Sequence, residues 1–202
     1  MLSRINPQNP QPRLIRRVVE VLREGGVIAY PTDSVYGLGC SLYNKKGIER
    51  IYRIKRTEKT RPFSFICADL KDISLYCKVS NYAYKTMRRL LPGPYTFILE
   101  GTKLVPKIML TRRLTAGIRV PNNPICMAIV RELEHPIIST SAMLPEGEVL
   151  YDPAEIESKL GHALDLVIDG GLCVSEPSSV IDLTGDRPKV LRKGKGDVSL
   201  FL

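Results

Sequence analysis

The chain has 202 residues, of which 44% are hydrophobic and 25% are charged. This length suffices for one well-buried core and is short for two, so a single domain over residues 1–202 is expected. No apolar run approaches the roughly 20 residues of a membrane span, which argues against a transmembrane protein and predicts no membrane partner. The first residues lack the apolar segment of a secretory signal, so a cytoplasmic protein is expected.

Lysine and arginine outnumber aspartate and glutamate by 30 to 21, which gives a net charge of +9 and a pI near 9.4. An excess of this size predicts an anionic partner, whether a nucleotide, a nucleic acid or a phosphate-rich metabolite. The most basic part of the chain runs from Lys45 to Arg61. Charge alone does not choose among these partners.

Cysteines and histidines are the side chains most often used as metal ligands. The five cysteines are odd in number and form no Cys-x-x-Cys pair, which is typical of reduced thiols: Cys40, Cys67, Cys77, Cys126 and Cys173. Neither of the two histidines has a second histidine or cysteine at a ligand spacing. No protein-bound metal is therefore predicted.

Hydrophobic periodicity predicts helices and strands that interleave along the chain. The first helix runs from Pro10 to Glu24 and ends at Gly25-Gly26, and the first strand, Val27-Ile28-Ala29, follows at once. Further helices are predicted around Ile48–Tyr52 and over Ser80–Leu91, Pro124–Leu133 and Asp152–Leu160. Further strands are predicted over Ser64–Cys67, Tyr95–Leu99, Ala116–Val120, Pro136–Ser139, Leu166–Asp169, Val180–Leu183 and Lys189–Arg192. These strands, about eight in number, do not alternate cleanly with helices, which predicts an α/β (α+β) fold with an open, twisted, mixed β-sheet flanked by helices.

A bend after the first strand concentrates polar groups. Residues 30–39 read Tyr-Pro-Thr-Asp-Ser-Val-Tyr-Gly-Leu-Gly. Proline fixes φ, the short hydroxyl side chains bond nearby backbone, and the glycines let a ligand or another segment approach closely. These features favour a ligand site and an ordinary Asp/Ser turn about equally.

Two cations have positions that predict a role in a cleft. Lys55 lies one turn beyond Ile51 and Tyr52 on the apolar face of its helix, which predicts either a cleft lysine or one that snorkels at the core's edge. In Ile118-Arg119-Val120 the strand period places the arginine opposite two aliphatic residues. Arg119 then either pairs with a carboxylate or anionic ligand, because an unpaired buried guanidinium is costly, or faces solvent.

Hydroxyl clusters accompany two other strands, at Ser139-Thr140-Ser141 and at Ser178-Ser179. Such clusters suit phosphate or carboxylate, although serine and threonine are also common in simple loops. The sequence contains no Walker loop, no G-x-G-x-x-G, no G-x-S-x-G and no convincing catalytic triad. The common nucleotide-binding and hydrolase folds are therefore not indicated.

Taken together, six motifs resemble the YrdC/YciO family, and within it most closely the YciO-type members. They are residues 30–39, the helix ending at Lys55, Pro92-Gly93-Pro94-Tyr95-Thr96, Ile118-Arg119-Val120-Pro121, Ser139-Thr140-Ser141-Ala142 and Ser178-Ser179-Val180-Ile181-Asp182. The resemblance covers nearly the whole chain and implies a YrdC-like fold with a basic concave face. It also implies a relation to threonylcarbamoyl-AMP synthases, which join L-threonine, bicarbonate and ATP, release diphosphate and supply the intermediate for a universal tRNA modification.

The same resemblance implies roles for individual residues. On the amino-acid side it assigns five residues to L-threonine: Thr32, Ser34, Arg119, Ser139 and Ser178. On the side of ATP, or of a related adenylate, it assigns four: Lys55, Thr115, Ser141 and Arg192. Lys55 and Arg119 are the expected catalytic cations, and Mg²⁺ is expected to accompany ATP.

Two positions depart from the synthase pattern. Where synthases carry lysine, any residue, arginine and serine, any residue, asparagine, this chain has Lys55-Arg56-Thr57 and Ser141-Ala142-Met143. Weakened synthase activity is expected, because two polar groups around the nucleotide are replaced. The alternative is a translation or ribosome-associated protein that binds double-stranded RNA or tRNA through a basic surface, without synthase activity.

Overall fold

The computed structural model describes residues 1–56, 63–111, 113–174 and 176–201. The helices in these ranges are α1 (Pro12–Arg23), α2 (Lys45–Ile54), α3 (Leu70–Tyr76), α4 (Asn81–Leu90), α5 (Pro124–Leu133) and α6 (Pro153–Leu160). The strands there are β1 (Leu2–Arg4), β2 (Ile28–Tyr30), β3 (Gly37–Ser41), β4 (Ser64–Ile66), β5 (Cys77–Lys78), β6 (Tyr95–Gly101), β7 (Thr115–Arg119), β8 (Ile137–Ser141), β9 (Leu166–Asp169), β10 (Ser179–Asp182) and β11 (Lys189–Arg192). Every helix in these ranges is too short or too polar to cross a membrane.

The strands form one mixed sheet in the order β1-β9-β2-β3-β8-β4-β7-β6-β10-β11, with β5 paired to β6. Strand β9 is parallel to both β1 and β2, β4 is parallel to β7, and β6 is parallel to β10. The pairs β2/β3, β3/β8, β8/β4, β7/β6 and β10/β11 are antiparallel. The predicted mixed α/β sheet flanked by helices is confirmed.

Side-chain alternation gives the central strands an apolar face. Phe65 is the register partner of both Ile138 and Ile118, and Ile118 is also the partner of Phe97. All four side chains are fully buried in the main core. Apolar residues of α2, α3, α4 and α6 complete this core. Burying each such side chain stabilises the fold by about 1.5–3 kcal/mol, so this face anchors the sheet.

The opposite side of the same strands is lined by small and polar residues. We call it the polar face, and it consists of Gly37, Gly39, Ser64, Thr96, Gly117, Ser139 and Ser141. Ser139 is the register partner of both Gly39 and Ser64, and Ser64 is also the partner of Gly117. A Cβ atom on Gly117 would lie 2.9 Å from Ser64 Oγ and 3.1 Å from Thr96 Cγ2. The polar face is therefore closely packed at its centre.

A second core begins where the polar face ends. Ile66 lies two residues after Ser64, and Ile137 lies two residues before Ser139, so both are on the same side of the sheet as the serines. Both isoleucines are fully buried. They pack with the apolar residues of α1 and α5, which contact each other. One end of this side of the sheet is thus covered by helices, and the polar residues lie next to that covered end.

Most helices and strands begin and end within a few residues of their predicted bounds. The differences have local causes. Strand β3 begins at Gly37 inside the segment that was expected to be a bend, because β2 and β8 supply partners on both sides. The three-residue β1 and two-residue β5 were not predicted, since each is too short to show periodicity. Helix α3 was also missed; its seven residues follow the cap Asp69, whose carboxylate accepts from the Asp72 N–H.

The packing around Gly39 generates a prediction about stability. A Cβ there would lie 2.7 Å from both Ile137 Cγ2 and the Ile138 carbonyl oxygen. Gly39→Ala should therefore lower the free energy of unfolding by about 1–3 kcal/mol, measured by urea denaturation. Gly185→Ala is the matched control, because its Cβ would meet only the Arg187 carbonyl oxygen, at 3.9 Å. Equal stability of the two variants would contradict this packing.

Candidate functional site

The connection between β2 and β3 is held by buried hydroxyl groups. Thr32 Oγ1 donates to the Val35 carbonyl oxygen at 2.6 Å and accepts from the Ser34 N–H at 3.1 Å. The Thr32 and Ser34 hydroxyl oxygens are 3.2 Å apart. Both residues are at most 4% exposed. The motif is thus a rigid turn that fixes where its side chains point.

Arg119, the last residue of β7, is the cation that this turn surrounds. It is 7% exposed, and its Nη2 donates to Asp33 Oδ1 and to Ser34 Oγ, both at 2.9 Å. The second carboxylate oxygen of Asp33 accepts from the Asn122 N–H at 2.8 Å. Lys195 Nζ donates to the Asp33 carbonyl oxygen. The structure thus selects the buried, paired alternative for Arg119 over the solvent-facing one.

One donor in this cluster has no acceptor. Arg119 Nε is buried and makes no hydrogen bond within the described residues. A buried donor without a partner costs about 1–3 kcal/mol, more for a charged group. The guanidinium therefore retains unused capacity to bind an anionic group.

A second arginine approaches from the last hairpin of the sheet. Arg192 Nε and Nη2 donate to the Ser178 carbonyl oxygen at 3.1 and 2.7 Å. The Ser178 hydroxyl lies 2.8 Å from Thr96 Oγ1, so Arg192 and the polar face are directly linked. Partial desolvation, and then repulsion from Arg119, lower the pKa of Arg192. The fold thus holds two positive charges close enough to repel each other, and such a region suits a ligand with negative charge.

Lys55 reaches the polar face from the end of α2. Its Nζ donates to the Ser141 carbonyl oxygen at 2.9 Å, and the residue is half-buried. Desolvation lowers the pKa of the Lys55 ammonium from 10.5 to about 8. The burial that lowers the pKa would also strengthen its interaction with an anion, because water screens the pair less.

Ser139 and Thr115 have different surroundings. Ser139 is 3% exposed, and its hydroxyl accepts a 2.5 Å hydrogen bond from the buried Tyr30 phenol, so it is held in place. Thr115 begins β7, and its hydroxyl lies 2.7 Å from Thr111 Oγ1. It is four residues before Arg119, a separation of about 13 Å along a strand. Thr115 and Arg119, which the sequence assigns to the nucleotide and to the amino acid, thus lie at opposite ends of one strand.

Direct hydrogen bonds link three sets of the predicted site residues: Thr32 with Ser34 and Arg119, Ser178 with Arg192, and Lys55 with Ser141. Ser139 and Thr115 bond to residues outside the predicted set. Met143 forms an isolated bridge with Val149 and is half-buried. Thr57, the other departure from the synthase pattern, lies outside the described residues.

Sequence reasoning assigned no role to several residues that build this site: Tyr30, Asp33, Thr96, Asn122 and Lys195. Asp33 was visible within the motif, but its partner Arg119 is 86 residues away. Asn122 contributes a backbone N–H, which no sequence pattern reveals. Lys195 lies in the Lys-Gly-Lys-Gly segment 193–196. The alternation of lysine and glycine in this segment is the sequence feature that could have indicated its role in the site.

The arrangement of cations and hydroxyls can bind and stabilise negative charge. Burial raises the pKa of the Cys126 thiol near Arg119, which disfavours a thiolate nucleophile. Within the described ranges, no group of three or more histidine, cysteine, aspartate or glutamate side chains could hold a metal ion. The chemistry that this site suits is positioning of an anionic substrate by cations and hydroxyls.

The Arg119–Asp33 pair generates a prediction about coupling. Arg119→Met should lower the free energy of unfolding at pH 7 by about 3–5 kcal/mol, because it leaves Asp33 charged and nearly buried. In the Arg119→Met background, Asp33→Asn should lower the free energy of unfolding by less than it does in the wild-type protein. A double-mutant cycle measured by urea unfolding reports this difference. Costs that add within about 0.5 kcal/mol would contradict direct coupling.

Comparison with known proteins identifies relatives of the whole chain. The Sua5/YciO/YrdC family model, described as "Telomere recombination", matches residues 20–194. Escherichia coli "Uncharacterized protein YciO" is 49% identical over 200 residues, which cover 98% of this chain and 97% of that protein. The threonylcarbamoyl-AMP synthase of Hydrogenovibrio crunogenus is 33% identical over 170 residues, which cover 82% of this chain and 91% of the relative.

Solved structures give the same grouping. The crystal structure of E. coli YciO matches with a TM-score of 0.96 and 48% identity, over 100% of this chain and 99% of that one. The crystal structure of P. abyssi Sua5 complexed with L-threonine matches with a TM-score of 0.90 and 26% identity, over 96% of this chain and 57% of that longer one. The chain therefore belongs to the Sua5/YciO/YrdC family.

Proposed function

We propose that the protein forms an aminoacyl-carbamoyl adenylate, as threonylcarbamoyl-AMP synthases do, from L-threonine, bicarbonate and ATP with release of diphosphate. The observation that carries the proposal is the nearly buried Arg119, which has an unused donor and lies beside a second guanidinium and four buried hydroxyls, those of Thr32, Ser34, Ser139 and Ser178. Groups of this kind are costly to bury unless each of them finds a partner. They are useful where a ligand supplies the missing negative charge.

The names of the relatives support the same reaction class. One relative is named a threonylcarbamoyl-AMP synthase, and a structural relative was crystallised with L-threonine. The most similar relatives carry the name YciO without a stated activity. The fold and family are thus those of the synthases, and the specific activity of this chain is the proposal.

On the amino-acid side, Arg119 is the proposed partner of the substrate carboxylate. Nη2 already donates to Asp33 and Ser34, and Nε is the donor still without an acceptor, so the substrate carboxylate would accept a charge-assisted hydrogen bond from Nε. Thr32, Ser34, Ser139 and Ser178 would surround the substrate with hydroxyls. The Asp33 carboxylate holds Nη2 and so fixes the plane of the guanidinium.

On the nucleotide side, four residues would contact ATP: Lys55, Thr115, Ser141 and Arg192. L-Threonine and bicarbonate first give the N-carboxylate of threonine with loss of water. One oxygen of this carbamate attacks the α-phosphorus, and the bond from that phosphorus to the diphosphate oxygen breaks. Lys55 and Arg192 would stabilise the charge that develops on the phosphate oxygens. Mg²⁺ would enter bound to ATP and neutralise the departing diphosphate.

We expect the rate of adenylate formation to be low. Met143 replaces an asparagine of the synthase pattern and has no amide to donate or accept a hydrogen bond. The alternative, an RNA-binding protein without synthase activity, is not favoured by the relatives named above. It remains the outcome to consider if no adenylate is formed.

Adenylate formation is the first prediction from this proposal. Purified protein with MgATP, bicarbonate and L-threonine should release diphosphate and form threonylcarbamoyl-AMP, detected by mass spectrometry. Lys55→Met should reduce the rate roughly 100-fold or more, because one charge-stabilising group is worth about 2.7–4 kcal/mol in comparable sites. Lys46→Met, an exposed position in the first turn of the same helix, is the matched control and should retain the rate. No threonine-dependent adenylate, alongside an active synthase as a positive control, would refute the proposal.

The second prediction concerns pH. A lysine is charged below its pKa, and the pKa of Lys55 in the free protein is about 8 instead of 10.5. The value of kcat/KM for ATP should therefore fall as pH rises through about 8, approaching tenfold per pH unit. Lys55→Arg should move this fall to higher pH, because arginine stays protonated. An identical pH profile in Lys55→Arg would show that another group is titrating.

A further inference from the structure

A second region, a cavity of about 630 Å³, lies beside the loop that follows β7. It is bounded by the start of α3, the end of α4, residues 120–124 and α5 from Pro124 to Arg131. Its volume falls within the range of small-molecule sites, roughly 300–1,000 Å³. None of the residues proposed above for threonine or ATP lines it.

The floor of this cavity is apolar. Leu91 and Val120 contribute aliphatic side chains, and Met127 contributes a flexible thioether from α5. Three prolines also line the cavity: Pro92, Pro121 and Pro124. A surface of this composition suits an aromatic or aliphatic group, and the methionine can adapt to its shape.

The rim of the cavity is positively charged. Lys71, Arg88 and Arg131 line it from three different helices, and all three side chains are exposed. They make no salt bridge with any carboxylate among the described residues. The carboxylate in the lining, Asp69, caps α3 by accepting from the Asp72 N–H at 2.9 Å. Three cations against one carboxylate give the cavity a net positive charge.

We propose that this cavity binds a small anion with an apolar body, such as a carboxylate or phosphate monoester attached to an aromatic or aliphatic group. The anionic end lies among Lys71, Arg88 and Arg131, and the apolar end lies on Val120 and Met127. The two halves of the lining match the two halves of such a molecule. The proposal does not depend on the synthase activity.

The cavity wall is shared with the site that contains Arg119. The N–H of Asn122 donates to Asp33 Oδ2. Pro92, Asn122 and Asn123 also line another cavity, of about 530 Å³, next to Thr32, Asp33 and Ser34. The Gly93 N–H also donates to the Val120 carbonyl oxygen at 2.9 Å. A ligand that moves this loop would therefore change the position of Asp33 and of its partner Arg119.

The test uses phenyl phosphate as the probe and the full-length protein. Isothermal titration calorimetry should detect binding, and inorganic phosphate should bind at least several-fold more weakly because it lacks the apolar part. The double substitution Arg88→Gln/Arg131→Gln should raise the Kd of phenyl phosphate about three- to tenfold. Crystals soaked in phenyl phosphate should show its ring on Met127 and its phosphate near Arg131.

Two control variants distinguish this cavity from general charge effects and from the polar face. Arg16→Gln/Arg89→Gln removes the same charge from exposed positions that do not line the cavity, and it should leave the Kd within about twofold. Lys55→Met should also leave it unchanged. The proposal is overturned if both double variants weaken binding equally, if Lys55→Met abolishes it, or if neither calorimetry nor the soaked crystals show phenyl phosphate in the cavity.

Discussion

The compensation of one buried positive charge organises this protein's candidate site. Arg119 ends a central strand at the border between the second core and the polar face, where it is 7% exposed. An uncompensated guanidinium there would be very costly, so the chain brings Asp33 and Ser34 to its Nη2. The β2–β3 turn, the loop after β7 and Lys195 are in turn held by Asp33. Asp33 therefore contacts two segments that are distant in sequence, the end of β7 with its following loop through the carboxylate and Lys195 through the carbonyl oxygen.

The same constraint explains why the site lies where it does. The apolar face of the sheet is filled by large side chains, whereas the other side changes from isoleucines to serines along β4 and β8. Helices α1 and α5 cover the apolar part of that side, and the polar part is left for hydroxyls and cations. Burying the charged Lys55 lowers the stability of the fold, because desolvation disfavours the ammonium form and lowers its pKa to about 8. Functional residues commonly lower stability in this way, and the two hydrophobic cores supply the compensating energy.

The sequence predicted much of the architecture, because the longer helices and strands have clear periodicity. Helix α5 and strands β9 and β11 have the predicted bounds, and α1 ends before the expected glycine pair. Strand order was beyond reach, since pairing between β3 and β8 depends on contacts about 100 residues apart. For the site, helical spacing allowed a cleft position for Lys55 or one at the core's edge, and the strand period allowed Arg119 an anionic partner or a solvent-facing position. The identity of that anion, Asp33, and the backbone contributions of Asn122 and Ser178 required the folded structure.

The central claim is that the buried Arg119 cluster binds the carboxylate of an amino-acid substrate. Amide chemical-shift mapping with L-threonine tests this most directly, because it reports where the ligand binds without requiring turnover. The account predicts that the largest shifts occur at Ser34, Arg119 and Ser178. It also predicts that L-threoninol, which replaces the carboxylate with an alcohol, leaves these amides unchanged. Shifts centred elsewhere, or equal shifts with both compounds, would contradict the account.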